Sequence, residues 1–247
     1  SKSNQLLFEI LEIYPGHPEA FFWLSNQFNL NKNTLLANKL EDFYKNPQRY
    51  STNQFSYLCY AMARLRENQE RYSESFSLYQ QANKLRKSSL NLLRTDFRIY
   101  IGQSKLHKSL FRGLKKLPNY VLGSDIGNDL VFIIGLPRCG STLVEAILSM
   151  SNKTNCLGES GCLQKAVSQS EILKSLETDD MSLIELKEKL YKIDSVYRGL
   201  IKPTSLIKVE KTLTNFFLAG LISRVWPAAK IVHMQRNPLD QIVSIWR

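Results

Sequence analysis

The run VFIIGLPRCGSTLVEAIL, from Val131 to Leu148, decides the fold of the chain around it. Val131, Phe132, Ile133 and Ile134 form an apolar, mostly β-branched stretch without polar alternation, the pattern of a strand covered on both faces in a parallel sheet. A short Gly/Pro/Arg turn follows, and an apolar-periodic helix then opens at Ser141 or Thr142. The first backbone N–H groups of such a helix, with the positive end of its dipole, suit an anion. Gly135 and Gly140 let backbone approach a ligand closely, and Pro137 stiffens the loop between them. The planar fork of Arg138 matches phosphate or sulfonyl oxygens. The glycine spacing is that of a Walker A loop, but Ser141 and not a lysine follows the second glycine.

A second turn of the same kind lies in Lys230-Ile-Val-His-Met-Gln-Arg236-Asn-Pro-Leu-Asp-Gln-Ile-Val-Ser244. An apolar strand ends at Arg236, a helix begins at once, and Ser244 stands on that helix. Asn237 is a suitable N-cap and Pro238 suits the first helical position. Arg236 then sits at a strand's C-terminal end, the edge where open α/β sheets bind ligands. Taken singly, Arg236 and Asp240 are an ordinary surface pair at helical spacing and Ser244 an exposed hydroxyl. Two arginine-bearing strand-to-helix turns in one chain favour a site.

Between and around these turns the elements alternate: strand 130 to 135, helix 141 to 150, a helical stretch 160 to 200, strand 205 to 209, helix 214 to 225, strand 230 to 235 and a helix from 238. Alternation of this kind predicts a three-layer α/β domain with a parallel sheet over residues 130–247.

The two turns together resemble the nucleotide-binding segments of sulfotransferases that use 3′-phosphoadenosine 5′-phosphosulfate (PAPS). The 5′-phosphosulfate loop of that family reads x-P-[RK]-S-G-T-[ST]-L. Here Pro137, Arg138, Cys139, Gly140, Ser141, Thr142 and Leu143 stand in its place, with Cys139 for the first Ser and Ser141 for the first Thr. The family's 3′-phosphate segment, R-[DN]-P-x-D-x-x-x-S, is matched by Arg236 to Ser244. The resemblance implies PAPS as co-substrate, bound by Arg138 to Leu143, Arg236 and Ser244. It implies no metal, because protein cations do the neutralising that Mg²⁺ does in kinases.

Cys156-Leu-Gly-Glu159-Ser-Gly161 is similar to the G-E segment of tyrosylprotein sulfotransferases and their bacterial relatives. That likeness makes Glu159 the candidate base, although aligning on the glycines shifts the register by one. The plain alternative is a surface carboxylate near a helix N-terminus. Lys211 occupies the place of that branch's site lysine, in a K-[DT]-P-like turn that here lacks the proline, and Lys208 nearby reads as a surface charge at a strand end. The implied catalytic set is Glu159, Lys211 and Arg138, acting on a hydroxyl acceptor in a protein tyrosine, a carbohydrate or a small molecule. His233 alternates with apolar neighbours and reads as a satisfied core histidine. Cys139, Cys156 and Cys162 match no zinc spacing.

Residues 1–118 read as helices. Phe21, Leu24, Ser25 and Phe28 resemble the core spacing of a tetratricopeptide repeat (TPR), and Ser75, Tyr79 and Ala82 stand at its second-helix positions in a helical pair from about Thr52 to Lys87. The interval from Ala37 to Ser75 is 38 residues, longer than the family's period, so any array is irregular. The alternative is a generic helical bundle. From Lys84 to Lys116 ten Lys/Arg meet one acid, Asp96, which supplies most of the net charge of +11. A solvated helix face explains such a stretch without a partner, and no nucleic-acid motif accompanies it. Residues 119–129 make a polar, turn-rich linker.

Hydrophobic residues at 43% and charged residues at 22% are ordinary for a globular chain, and no apolar run reaches the length of a membrane span. Four cysteines without a paired pattern fit a reducing, cytoplasmic setting. The chain starts at Ser1, and Arg247 follows the second motif at once, whereas members of the family continue into a further nucleotide-contacting loop. The expectation is a fragment of a bacterial TPR-containing sulfotransferase, its α/β domain incomplete. Two rivals remain: a helical-repeat interaction scaffold with a vestigial nucleotide domain, and a P-loop kinase, which the missing Walker lysine opposes.

Overall fold

The computed structural model describes residues 2–89, 104, 105, 107, 108, 112, 114, 122–175 and 182–247. The chain divides into two compact units, Ser1–Asp96 with Trp246–Arg247, and Phe97–Ile245.

The first unit is helical: α1 (Lys2–Ile13), α2 (Pro18–Gln27), α3 (Thr34–Tyr44), α4 (Thr52–Asn68) and α5 (Tyr72–Ser89). Local chemistry sets the starts. His17 Nδ1 accepts from the N–H of Ala20 at the head of α2, and Asn33 Oδ1 accepts from Leu36 at the head of α3. Ser51 and Gln54 exchange hydrogen bonds as a capping box at α4. Phe21, Leu24, Leu30, Leu40, Leu58 and Leu65 are fully buried in one core. The residues read as repeat positions do face inward: Phe21, Leu24, Ser25, Ser75, Tyr79 and Ala82 are buried and Phe28 is half-buried. The helical pair expected from Thr52 is α4 and α5.

The second unit holds four parallel strands, β1 (Leu130–Gly135), β2 (Thr154–Gly158), β3 (Ile207–Glu210) and β4 (Lys230–Met234), in the order β2-β3-β1-β4. Ile133 pairs with Val232 across β1 and β4, and Val131 with Val209 across β1 and β3. The helices are α6 (Ser141–Ser149), α7 (Cys162–Ser170), α8 (Ile172–Ser175), α9 (Leu183–Leu200), α10 (Ala219–Val225) and α11 (Pro238–Trp246). Leu130, Phe132 and Ile134, alternate residues of β1, enter a core built with α7, α9 and α10, and the two-residue period sends buried Ile133 to the opposite face. Phe132, Tyr197 and Trp226 pack ring to ring at that core's centre, with centroids 4.8 to 5.9 Å apart. Trp226 donates its indole N–H to Asp194 Oδ1 at 2.5 Å, so its polar atom is satisfied inside the apolar cluster.

Four expectations need correction. β2 lies in a stretch where the sequence pattern predicts no strand, and the segment Leu213–Leu218 ahead of α10 is a 3-10 helix, not the start of an α-helix. Lys208 is no surface charge: it is buried, and its ammonium lies 2.7 Å from Asp129 Oδ2, where Arg198 also reaches at 3.2 Å. Burial works to raise the Asp129 pKa, but the bonds from Lys208 and Arg198 outweigh it and hold the carboxyl below its ordinary value. His233 is exposed and not in the core, because β4 has a strand neighbour on one side only among the described residues.

Most of the basic stretch from Lys84 to Lys116, and residues 119–121 of the linker, lie outside the described residues. Among the described residues no helix is long and apolar enough to cross a membrane.

Candidate functional site

The loops and turns that carry the candidate residues leave the C-terminal ends of the four parallel strands. The turn 136–140 leaves β1, Glu159 follows the last residue of β2, Lys211 follows the last residue of β3, and Arg236 stands two residues past β4. With strand order β2-β3-β1-β4, the chain passes to one side of β1 for β2 and β3 and to the other side for β4. The crossovers therefore part at β1, and the crevice outside that point is where open α/β sheets hold ligands. A cleft of roughly 560 Å³ occupies it, lined by Pro137, Arg138, Gly140, Ser141, Thr142, Glu159, Thr212, Leu213, Thr214, Arg236 and Ser244.

The turn after β1 is held in an unusual backbone state. Arg138 has φ of 67° and Gly140, the N-cap of α6, has φ of 94°. A non-glycine residue in the left-handed region costs on the order of 1 kcal/mol and persists where its surroundings enforce it. Here the α11 segment does so. Gln241 donates to the Pro137 carbonyl at 2.7 Å, Arg236 to the Arg138 carbonyl at 3.2 Å, and Arg138 Nε to Ser244 Oγ at 3.0 Å. Asn237 caps α11 by accepting from Leu239 and Asp240, and Pro238 opens it, as the sequence indicates. No side chain caps α6, so the amides of Ser141 and Thr142 at the cleft wall are available to an anion.

On the other wall, the Lys211 ammonium lies 3.3 Å from Glu159 Oε1, 3.3 Å from Glu145 Oε2 on α6 and 3.5 Å from Thr142 Oγ1. Burial disfavours the ammonium, yet the hydrogen bonds and charges of Glu159 and Glu145 outweigh it and raise the Lys211 pKa above the ordinary lysine value. The backbone N–H of Lys211 donates to the Gly158 carbonyl at 2.9 Å, extending the β2–β3 ladder by one bond and fixing where the lysine leaves the sheet. Behind it, fully buried Glu210 accepts from Thr212 Oγ1 at 2.9 Å and Asn215 Nδ2 at 3.4 Å. Thr212 Oγ1 in turn accepts from the Gly161 N–H at 3.4 Å. That chain of bonds ties the loop carrying Glu159 to the turn carrying Lys211.

The structure thus brings together Arg138, Gly140, Ser141, Thr142, Glu159, Arg236 and Ser244 around one cleft, with Lys211 touching two of its lining residues. Cys139 is buried beneath the turn, its sulfur packed near Gly135, and Leu143 is exposed; neither lines the cleft. Sequence reasoning missed Glu145, Thr212 and Thr214. Only the coincidence of Lys211 with the end of a strand hinted that its neighbours share the site.

The fold and this site define an α/β unit with a crevice at its topological switch point, lined by two arginines and the first residues of α6. Residues 130–247 match the model of the sulfotransferase family. A relative from Aquifex aeolicus (strain VF5), named only as an uncharacterized protein, is 32% identical over 124 residues, which are 46% of this chain and 16% of the relative. The chain thus spans well under a fifth of that relative's length. No solved structure matches.

Proposed function

We propose that the α/β unit transfers a sulfuryl group from PAPS to a hydroxyl acceptor. The observation that carries this is the arrangement at the strand ends: two arginine forks and uncapped helix amides on one wall, a lysine–glutamate pair on the other, and a cleft of nucleotide size between them. The family match over the same residues supports it. In this reading Arg236 and Ser244 hold the 3′-phosphate, and the amides of Ser141 and Thr142 with Arg138 hold the 5′-phosphosulfate. PAPS, when bound, supplies a sulfuryl group on a phosphate leaving group. Glu159 accepts the hydroxyl proton as the acceptor oxygen bonds to sulfur and the bond from sulfur to the bridging oxygen breaks. Lys211 and Arg138 neutralise the charge that grows on the sulfonyl and bridging oxygens. The helices of the first unit act as degenerate TPR-like repeats, with Phe21, Leu24, Ser75, Tyr79 and Ala82 as their inward positions.

The test is a titration of the full-length protein with 3′-phosphoadenosine 5′-phosphate, PAPS and ATP, with and without Mg²⁺. Metal-independent preference for the 3′-phosphorylated nucleotides, lost in Arg236→Ala, is the expected result. Binding of ATP alone, or of none of the three, sinks the proposal.

A further inference from the structure

Lys211 is held by two carboxylates of opposite character. Both meet the ammonium at 3.3 Å, but the Glu145 side chain is 15% exposed and that of Glu159 is 66% exposed. Glu145 does not line the cleft, and Glu159 does. Glu145 Oε2 takes the lysine, while its Oε1 is buried without a hydrogen-bond partner. Parting Glu145 from Lys211 would strand a carboxylate away from water, whereas parting Glu159 leaves a hydrated one. Thr142 Oγ1, one turn earlier on α6, lies on the same ammonium, so α6 supplies two of its three side-chain partners.

We propose that Glu145 is a positioning residue, the resident counter-ion that keeps Lys211 against the cleft wall at Thr142 while Glu159 turns from the lysine to the acceptor hydroxyl. The role of Glu159 in this statement rests on the sulfuryl-transfer reading; the hold of Glu145 on Lys211 does not. Three titratable or charged groups surround the trio. Cys156 on β2 donates its thiol to the Glu145 carbonyl at 3.7 Å, and its pKa is pushed up by burial and then by the charge of Glu145. Arg138 and Arg236 share the cleft with Glu159. Neither arginine forms an ion pair with Glu145 or Glu159 among the described residues, so Lys211 is the cation the two carboxylates share.

The test uses the full-length protein with Glu145→Gln, Glu145→Asp and Glu159→Gln. The first measurement follows the acylation of Lys211 against pH by mass spectrometry, and it needs no turnover. Glu145→Gln should lower the Lys211 pKa and speed its modification below that pKa, about tenfold for each pH unit by which the pKa falls. Glu159→Gln should do so to a smaller extent, and Glu145→Asp should recover part of the wild-type profile. The second measurement is sulfuryl transfer from PAPS: Glu145→Gln should lower kcat about tenfold, leave KM for PAPS within about twofold, and move the acid limb of the pH–rate profile to lower pH, because Lys211 then leans on Glu159 alone. Should Glu145→Gln lose the fold by thermal melting, Glu145→Asp decides on the same two readouts. Unchanged Lys211 reactivity in the Glu145 variants, or a larger effect from Glu159→Gln, overturns the proposal. Altered Lys211 reactivity without any transfer by the wild-type protein would keep Glu145 as the counter-ion and discard the transfer reading.

Discussion

Arg138 Nε donates to Ser244 Oγ at 3.0 Å, joining the turn after β1 to the helix after β4 across 106 positions of sequence. The two groups assigned to opposite ends of a nucleotide are therefore parts of one bonded assembly, with Arg236 and Gln241 adding their bonds to the same turn. Ser244→Ala removes the partner that aims the Arg138 fork. Affinity for 3′-phosphoadenosine 5′-phosphate should fall about tenfold, or about 1.4 kcal/mol, as read by calorimetry. Stability should change by less than about 0.5 kcal/mol, because Arg138 is exposed and Ser244 is only half-buried. Unchanged nucleotide affinity would remove Ser244 from the site.

Two glycines should respond to alanine with opposite signs. Gly127 has φ of 91°, and a Cβ there would lie 2.4 Å from Trp226 Cβ, so both the backbone and the aromatic core resist it. Gly127→Ala should cost about 3 kcal/mol in denaturant unfolding. Gly199 is exposed near the end of α9 with nothing within 4 Å of a built Cβ, and Gly199→Ala should stabilise by about 0.5 kcal/mol. Equal effects at the two positions would contradict the packing described at Trp226.

How far the sequence could be read follows from where each signal resides. β1, its turn and the Arg236–Ser244 segment were legible because a continuous apolar run, Gly/Pro punctuation and an N-cap with proline are all local features. β2, TNCLG, was not: it has five residues, none fully buried, and pairs through one edge with β3, so it carries no hydrophobic run. Missing it left Glu159 without a register, although it follows that strand directly. Lys208 looked like a surface charge because Asp129, which accounts for its burial, stands 79 positions away. Glu145 drew no notice for the same reason, its partner Lys211 standing just past the end of a distant strand. Ion pairs between elements far apart in sequence leave no periodicity to read.

The cluster of Asp129, Lys208 and Arg198 should make stability sensitive to acid. The folded-state pKa of Asp129 lies below its unfolded value, so its contribution is present above the unfolded pKa and is lost as pH falls through the folded one. Chemical unfolding followed from neutral pH downward should show stability declining below about pH 4. In Asp129→Asn the buried Lys208 loses its counter-charge, and stability at neutral pH should drop by roughly 3 kcal/mol. The variant should also lose part of the acid dependence; a profile parallel to wild type would mean other carboxylates carry it.

Glu159→Gln separates chemistry from binding. Its side chain is exposed at the cleft and touches Lys211, so the amide keeps the shape and loses the proton acceptor. Sulfuryl transfer should fall by about 10² to 10⁴, the range for removing a positioned general base. Affinity for 3′-phosphoadenosine 5′-phosphate should stay within about twofold, because the arginines and helix amides that would hold its phosphates lie on the opposite wall. Melting temperature should be nearly unchanged, since the Glu159 side chain is exposed and the buried Lys211 keeps Glu145 as its counter-charge. Transfer that survives in Glu159→Gln would move the base elsewhere. A loss of nucleotide affinity in step with the loss of rate would make Glu159 a binding residue, because a base acting only on the acceptor has no reason to alter the hold on the donor.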